Sequence, residues 1–245
     1  MASQPELWNL PTNYDMLAAH VELDGKKAVD VGAGAGGLVR FMRSQGADPI
    51  GVEYGESMIA QAREADPDNL DSYLEGVGQD LPVNNDAVDL VVFCYSLHHV
   101  PGESLPDALS EASRVLRSGG TLAILEPIAE GSGFETHKLI DDETAVRAAA
   151  QSALDNDLPS SFTQVKQLRY STGYSYSGMD ELEKVVVDID PRRRDAFDAV
   201  RDQVSETFLE QSELAGGRYW FQQPVLMRIF TKAAMIRRDN GKLSR

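Results

Sequence analysis

The sequence predicts an α/β fold built on a mostly parallel sheet, and three observations predict it. Five strand-like apolar runs between Lys27 and Glu126 alternate with runs of helical spacing, an order that feeds right-handed crossovers into a parallel sheet. The fourth run, Ala87 to Tyr95, is nearly continuous apolar, as a parallel strand covered on both faces must be. The first run turns at once into a helix through Gly32-Ala33-Gly34-Ala35-Gly36-Gly37. Such a turn leaves helix N–H groups uncovered beside a backbone that a ligand can approach closely.

In chain order, residues 1–28 are a polar opening and then a helical pattern, Met16 to Val21, with Asn13 as its cap. Trp8 and Tyr14 either pack on the sheet edge or form a lid. The first strand spans Lys27 to Val31, and its helix runs to Gln45, broken by Gly46-Ala47-Asp48. Pro49 to Glu53 reads as the second strand, ending on an acid. A helix from Ser57 to Ala65 stops at Asp66-Pro67. A weaker third strand near Tyr73 to Gly78 leads into the loop Gln79-Asp80-Leu81-Pro82. After the fourth strand, helical spacing from Leu105 to Leu116 ends at Ser118-Gly119-Gly120, before a fifth strand from Thr121 to Glu126. Residues 128–165 break the rhythm as a mostly helical, acidic insertion. Beyond it come a strand-like run (Val165 to Ser177), two helical runs (Met179 to Val187, Pro191 to Leu209) and a last strand-like run (Tyr219 to Phe230). The tail after Lys232 is basic and polar and is expected to fray. With no repeat and no linker, residues 1–245 read as a single domain.

The 245 residues carry 39 acids against 23 basic residues, a net charge of −16. That field repels phosphate backbones and anionic lipid, so neither nucleic acid nor a membrane is an expected partner. The compact basic run Arg192-Arg193-Arg194 reads as a solvated helix start. Cys94, the single cysteine, excludes an intrachain disulfide and agrees with a reducing cytoplasm. The opening Met1 to Glu6 shows no signal peptide, and no apolar run approaches the ~20 residues of a membrane span. A cytoplasmic location is expected.

The glycine turn, Glu53, Asp80, Tyr95 to His99 and Glu126 all fall at strand carboxyl ends, where sheets of this kind bind ligands. Gly32-x-Gly34-x-x-Gly37 fits the dinucleotide fingerprint, with Glu53 placed 21 residues after Gly32 to grip ribose hydroxyls. Alone, that spacing suits NAD, FAD and S-adenosylmethionine (SAM) alike. Asp30, two residues before the first glycine, welcomes a cationic amino group and repels a pyrophosphate. Asp80-Leu81-Pro82 offers a second acid, able to accept from an exocyclic adenine amine.

At these residues the sequence resembles the class I SAM-dependent methyltransferases, the small-molecule group that includes the ubiquinone-biosynthesis type. The matching pieces are Val29 to Gly36, Glu53, Gln79 to Pro82, Asp89 to Val100 and Leu116 to Leu122, in family order across residues 25–126. The resemblance implies a Rossmann-like, seven-stranded sheet with an antiparallel last strand, Tyr219 to Phe230, and helices on both faces. It implies SAM as cofactor and a small-molecule methyl acceptor. Asp30 would lie near the methionine amino group, Gly32, Ala33 and Gly34 under the methionine portion, and Glu53 on the ribose. Tyr54, Met58, Asp80, Leu81 and Tyr95 would complete the cofactor site, Met58 and Asp80 at the adenine. Residues 25–126 would be the SAM-binding core and 128–218 a substrate cap with part of the C-terminal sheet.

Methyl transfer from a sulfonium is a direct displacement, so holding the acceptor in line matters most, and a base is needed only for a protonated acceptor of high pKa. His98 and His99 are the candidate catalytic residues, titrating near neutrality at the end of the fourth strand, or else structural rings bonded to backbone. Adjacent histidines without spaced partners do not suggest a metal site, and no metal is expected. Cys94 reads as a core thiol. Tyr14, Glu126, Tyr174 and Arg218 are the candidate substrate contacts, among cap aromatics that include Tyr170, Tyr176, Tyr219 and Trp220. A non-catalytic SAM sensor and a nicotinamide-dependent oxidoreductase are the alternatives. The acceptor atom is left open among oxygen, nitrogen, carbon and sulfur.

Overall fold

A computed structural model describes residues 6–234; the first residues and most of the basic tail lie outside the described residues. Eight strands form one sheet: β1 (Lys27–Val31), β2 (Asp48–Glu53), β3 (Tyr73–Glu75), β4 (Val88–Cys94), β5 (Leu116–Pro127), β6 (Phe162–Tyr176), β7 (Glu213–Ala215) and β8 (Arg218–Lys232). Their spatial order is β3-β2-β1-β4-β5-β8-β6, with β7 paired to β8. The first five pair parallel, while β8 runs antiparallel to both β5 and β6.

Alternate side chains of each central strand enter opposite layers, as the pleat requires. Val29, Val91, Phe93, Leu122 and Ile124 face helices α4 (Leu105–Val115) and α6 (Thr144–Asn156). Ala28, Leu90, Val92, Ala123 and Leu125 face α1 (Asn13–His20) and α2 (Gly37–Ser44). In α4, Leu105, Ala108, Leu109, Ala112 and Val115 recur on one helical stripe and are all buried. Each large side chain buried this way stabilises the fold by roughly 1.5–3 kcal/mol. Helix α3 (Glu56–Ala65) covers the β2–β3 edge, where Ile59 and Ala62 pack with Tyr73.

The structure differs from the sequence expectation at several places. Thr12, not Asn13, caps α1, its hydroxyl accepting from Asp15 N–H (3.1 Å), and β6 begins at Phe162, inside the run read as the insertion. The fifth strand begins at Leu116, not Thr121, because Ser118-Gly119-Gly120 is a bulge inside it; Gly119 takes φ +78° and the β4 register shifts there. An eighth strand also exists. Gly216 and Gly217, both at positive φ (59° and 76°), form a two-residue hairpin that folds β7 onto β8.

β8 pairs with β5 only from Val225 to Thr231, yet with β6 along its whole length, from Tyr219↔Tyr176 to Lys232↔Phe162. The β6–β8 ribbon therefore runs on past the carboxyl end of β5. On that extension sits a separate apolar cluster: Tyr176 and Phe221 from the ribbon, with Leu182 and Val186 of α7 (Met179–Ile189) and Phe197, Val204 and Phe208 of α8 (Arg193–Gln211). With α5 (Gly131–His137), these elements roof the sheet's carboxyl rim.

Candidate functional site

Two regions meet at that rim. The first is the glycine turn between β1 and α2. The N–H groups of Gly32 and Ala33 donate to the Val52 carbonyl (2.8 and 3.1 Å), tying the turn to β2. Gly32 takes φ +76°, and a Cβ there would stand 2.5 Å from the Ser96 Cβ, so only glycine fits. Gly34 also has positive φ (+52°), but a Cβ there would meet nothing within 4 Å: its outer face is open. Glu53 closes the β2 side, its Oε2 accepting from Gly34 N–H (2.8 Å) and its Oε1 from Tyr54 and Gly55 N–H (3.0 and 2.9 Å).

Asp30, the next-to-last residue of β1, lies beneath this turn. It is 2% exposed and its carboxylate accepts no hydrogen bond among the described residues. Burial, and then the neighbouring Glu53 charge, push its pKa up to about 7. A buried carboxylate without a partner is costly, and a cation placed beside it would relieve that cost.

Tyr14 lies against the same turn: its hydroxyl occupies the space a Gly37 Cβ would need, and its ring stacks on Phe41 at 5.2 Å. Burial first, then the neighbouring Cys94 and Asp30, hold its phenol up at about 12. Asp80 is exposed and Leu81 buried in the β3–β4 loop, which α4 anchors through Glu111 (accepting from Leu81 N–H, 2.9 Å) and Arg114 (donating to the Leu81 carbonyl, 3.0 Å). A Cβ added at Gly78 of that loop would stand 3.5 Å from Val31 and 3.6 Å from Phe93, which puts the loop beside the ends of β1 and β4. Met58 is half-buried beside Gly55, and Tyr54, 75% exposed, stands at the outer edge.

The second region is a cavity of about 260 Å³ between the ends of β4 and β5 and the cap. Tyr95, His98, His99 and Tyr174, all expected from the sequence, line it, with His137 and Glu143 among the further wall residues. Tyr95 takes φ +58°, a left-handed conformation rare for a bulky residue, at the strand end where the two regions meet. Glu126 stands behind the wall, 1% exposed, and binds the turn that follows β4. It accepts from the N–H groups of Ser96 (3.0 Å), Leu97 (2.9 Å) and His98 (3.3 Å), and its other contact is His98 Nδ1. His99 stacks tilted on His98, centroids 4.0 Å apart; burial, then His98, lower its pKa.

The cap's polar groups pair among themselves. His137 Nε2 meets the Tyr176 hydroxyl at 3.1 Å, and burial lowers its pKa to about 4. Arg147 donates from Nε and Nη2 to Glu143 Oε2 (3.1 and 2.8 Å) and lies over the Phe134 ring. Burial pulls Glu143 upward, but those hydrogen bonds prevail and its carboxyl ends below the usual range. Burial also keeps the Tyr174 phenol and the Cys94 thiol protonated, so Cys94 is an inert thiol.

Arg218 is not in the cavity wall. Its guanidinium is held by Ser175 Oγ (2.7 Å), the Ser175 carbonyl and Glu181 on the outer part of the ribbon. Sequence reasoning missed His137, Glu143 and Arg147. Their only signal was membership of the acidic insertion, which packing alone carries to the rim.

A parallel sheet with an antiparallel pair of late strands, a glycine turn over a buried acid and a roofed cavity thus meet at one rim. Residues 29–124, less than half of the chain, match the family described as methyltransferase domain. Among curated relatives, a malonyl-[acyl-carrier protein] O-methyltransferase of Pectobacterium atrosepticum is 36% identical over 118 residues, 48% of this chain and 43% of that protein. A ubiquinone/menaquinone biosynthesis C-methyltransferase of Paracoccus denitrificans is 34% identical over 110 residues, 42% of this chain and 43% of that protein. The chain thus spans less than half the length of these relatives. A solved structure titled for conversion of a disulfide into a thioacetal in echinomycin biosynthesis superposes with TM-score 0.61 at 16% identity, over 93% of this chain and 84% of that one. A structure titled as the [4+2]-cyclase SpnF gives TM-score 0.56 at 16% identity, over 90% and 80%. At that identity the likeness shows the fold alone.

Proposed function

We propose that this chain is an enzyme that transfers the methyl group of SAM to a small molecule held in the rim cavity, by direct in-line displacement. The observation that carries the reading is Asp30: a buried, unpartnered carboxylate under an open glycine turn, suited to an α-ammonium group and unsuited to a pyrophosphate. The open face of Gly34 leaves room for the methionine portion over Gly32, Ala33 and Gly34. Glu53 faces the same turn and would turn to the ribose, Met58 and Asp80 would meet the adenine, and Tyr54 and Leu81 would complete the cofactor site. Residues 25–126 are then the SAM-binding core and residues 128–218 the cap. Tyr95, at the junction of turn and cavity, would separate donor from acceptor, with Tyr14 closing the donor side. Orientation of the acceptor in such a site supplies roughly 7–11 kcal/mol of barrier lowering.

The cavity walls are aromatic and aliphatic, with charges paired to one another, which favours an uncharged or weakly polar acceptor. The net charge of −16 disfavours nucleic acid and anionic lipid, and no described helix is long and apolar enough to cross a membrane. A cytoplasmic enzyme fits these features. Because a chain titled as a cyclase shares the fold, the test must see methyl transfer itself. Calorimetric titration with SAM should show one site in the wild type and at least tenfold weaker binding in Asp30→Ala and Glu53→Ala. A panel of phenols, thiols and amines should then release S-adenosylhomocysteine. Equal SAM affinity in all three proteins contradicts the reading.

A further inference from the structure

Beside the donor site, three metal-ligating side chains converge in the cavity wall. Ligand atoms of His98, His99 and Glu143 all lie within 4.8 Å of one another. Two come from the turn after β4 and the third from the residue that precedes α6, 44 positions later in the chain (143 − 99). The adjacent histidines lack a spaced partner in sequence, but the cap supplies one in space.

Glu126 already accepts three backbone N–H groups, so against it His98 Nδ1 must be the protonated nitrogen. The ring's other nitrogen, Nε2, faces Glu143 Oε2 at 3.8 Å. A ring nitrogen and a carboxylate oxygen facing each other across that gap, with His99 beside them, form an arrangement that a cation completes. A buried carboxylate behind a histidine is also the usual outer support of a metal-binding imidazole, fixing both its tautomer and its direction.

Arg147 positions Glu143 without exhausting it. The two N–H groups it donates to Glu143 both go to Oε2, while its Nη1 donates to the Ile128 carbonyl (3.0 Å) and Gln223; Oε1 accepts no hydrogen bond among the described residues, with Arg193 3.8 Å away. The surrounding charge is favourable as well: Glu126, Glu143 and Asp141 stand against Arg147 and Arg193. An ion about 2.1 Å from each ligand brings ligand atoms to about 3.4 Å from one another, so the pair at 3.8 Å must close slightly and the widest by up to about 1.4 Å. The exposed His99 ring has the freedom to do so.

We propose that His98, His99 and Glu143 bind a divalent transition-metal ion, with Glu126 as the positioning residue behind His98. Two imidazoles and one carboxylate suit zinc, or cobalt in its place. The remaining coordination position faces the cavity. If the methyl-transfer reading above holds, on which this role rests, that position takes the acceptor's oxygen or sulfur. The acceptor's proton then leaves to solvent, and the metal-bound anion is the nucleophile.

The test uses the full chain without a histidine tag. Titration with zinc chloride should give one ion per chain, and cobalt chloride should give visible d–d bands of a low-coordinate site. Glu143→Gln, which keeps the shape and most hydrogen bonding of Glu143, and His99→Asn, at an exposed ring, should each weaken zinc at least tenfold and abolish the cobalt bands. SAM affinity, measured on the same preparations, should change less than twofold. Zinc binding that is absent, or equal in the wild type and both variants, overturns the site whatever the SAM result. Loss of SAM binding in the wild type overturns the donor reading and leaves the metal result standing.

Discussion

The proposed donor and acceptor halves of the rim are built on opposite plans. On the donor side the backbone does the shaping, through Gly32, Gly34 and the strand ends, and one buried carboxylate, Asp30, is left without a partner. On the acceptor side side chains do the shaping, and each polar group except His98 Nε2 and its neighbours finds a mate: His137 with Tyr176, Arg147 with Glu143, Arg193 with Asp141. An unpartnered charge stores binding free energy for one kind of ligand. A satisfied wall selects by shape. The donor half is thus specified by local chain geometry and the acceptor half by tertiary packing.

Backbone-shaped and side-chain-shaped sites should break differently, most sharply at the glycines. Gly32→Ala places a Cβ 2.5 Å from Ser96 Cβ at φ +76° and should destabilise the protein by about 3 kcal/mol or more, seen as a lower denaturant midpoint. Gly34→Ala has open space around it and should cost only about 1–2 kcal/mol of stability, while its methyl fills the ligand's place and removes SAM binding. Equal losses in both measurements for both variants would erase the distinction.

Asp30 and His137 give the two halves opposite pH behaviour. Asp30 has a folded pKa of about 7, above the ordinary aspartate value, so its contribution favours the fold at low pH and is lost as pH rises from about 4 through 7. At pH 8, Asp30→Asn should therefore stabilise the unliganded protein by a few kcal/mol. His137 is depressed to about 4; its contribution is full above about 6.5 and is lost as pH falls through 4. Denaturation of His137→Gln at pH 7.5 and 5 should show a stability that varies less with pH than in the wild type, by up to about 2 kcal/mol. The smallest effect belongs to Arg218→Ala. Its partly exposed pair with Glu181 should contribute under about 1 kcal/mol, with no change in SAM affinity.

The same contrast explains what the sequence disclosed. Asp30, the glycines and Glu53 were legible because each is fixed by its distance along the chain from a strand end. The antiparallel β8 was legible as an apolar run, and the β7 hairpin was missed although Gly216-Gly217 announces it. Tyr174 reaches the cavity and Arg218, from the facing strand of the same ribbon, does not. That difference depends on how far the ribbon climbs past β5 and on Glu181 and Ser175 capturing the guanidinium. Glu143 and His137 reach the rim only through the packing of α5 and α6, which no spacing in the sequence encodes.

The measurement that bears most directly on the donor site is SAM affinity as a function of pH, in the wild type and in Asp30→Asn. An ammonium-binding Asp30 predicts wild-type affinity that falls about tenfold per pH unit below about 7, and a variant that binds at least a hundredfold more weakly at pH 8 and is flat with pH. Wild-type affinity independent of pH, matched by the variant, would contradict it.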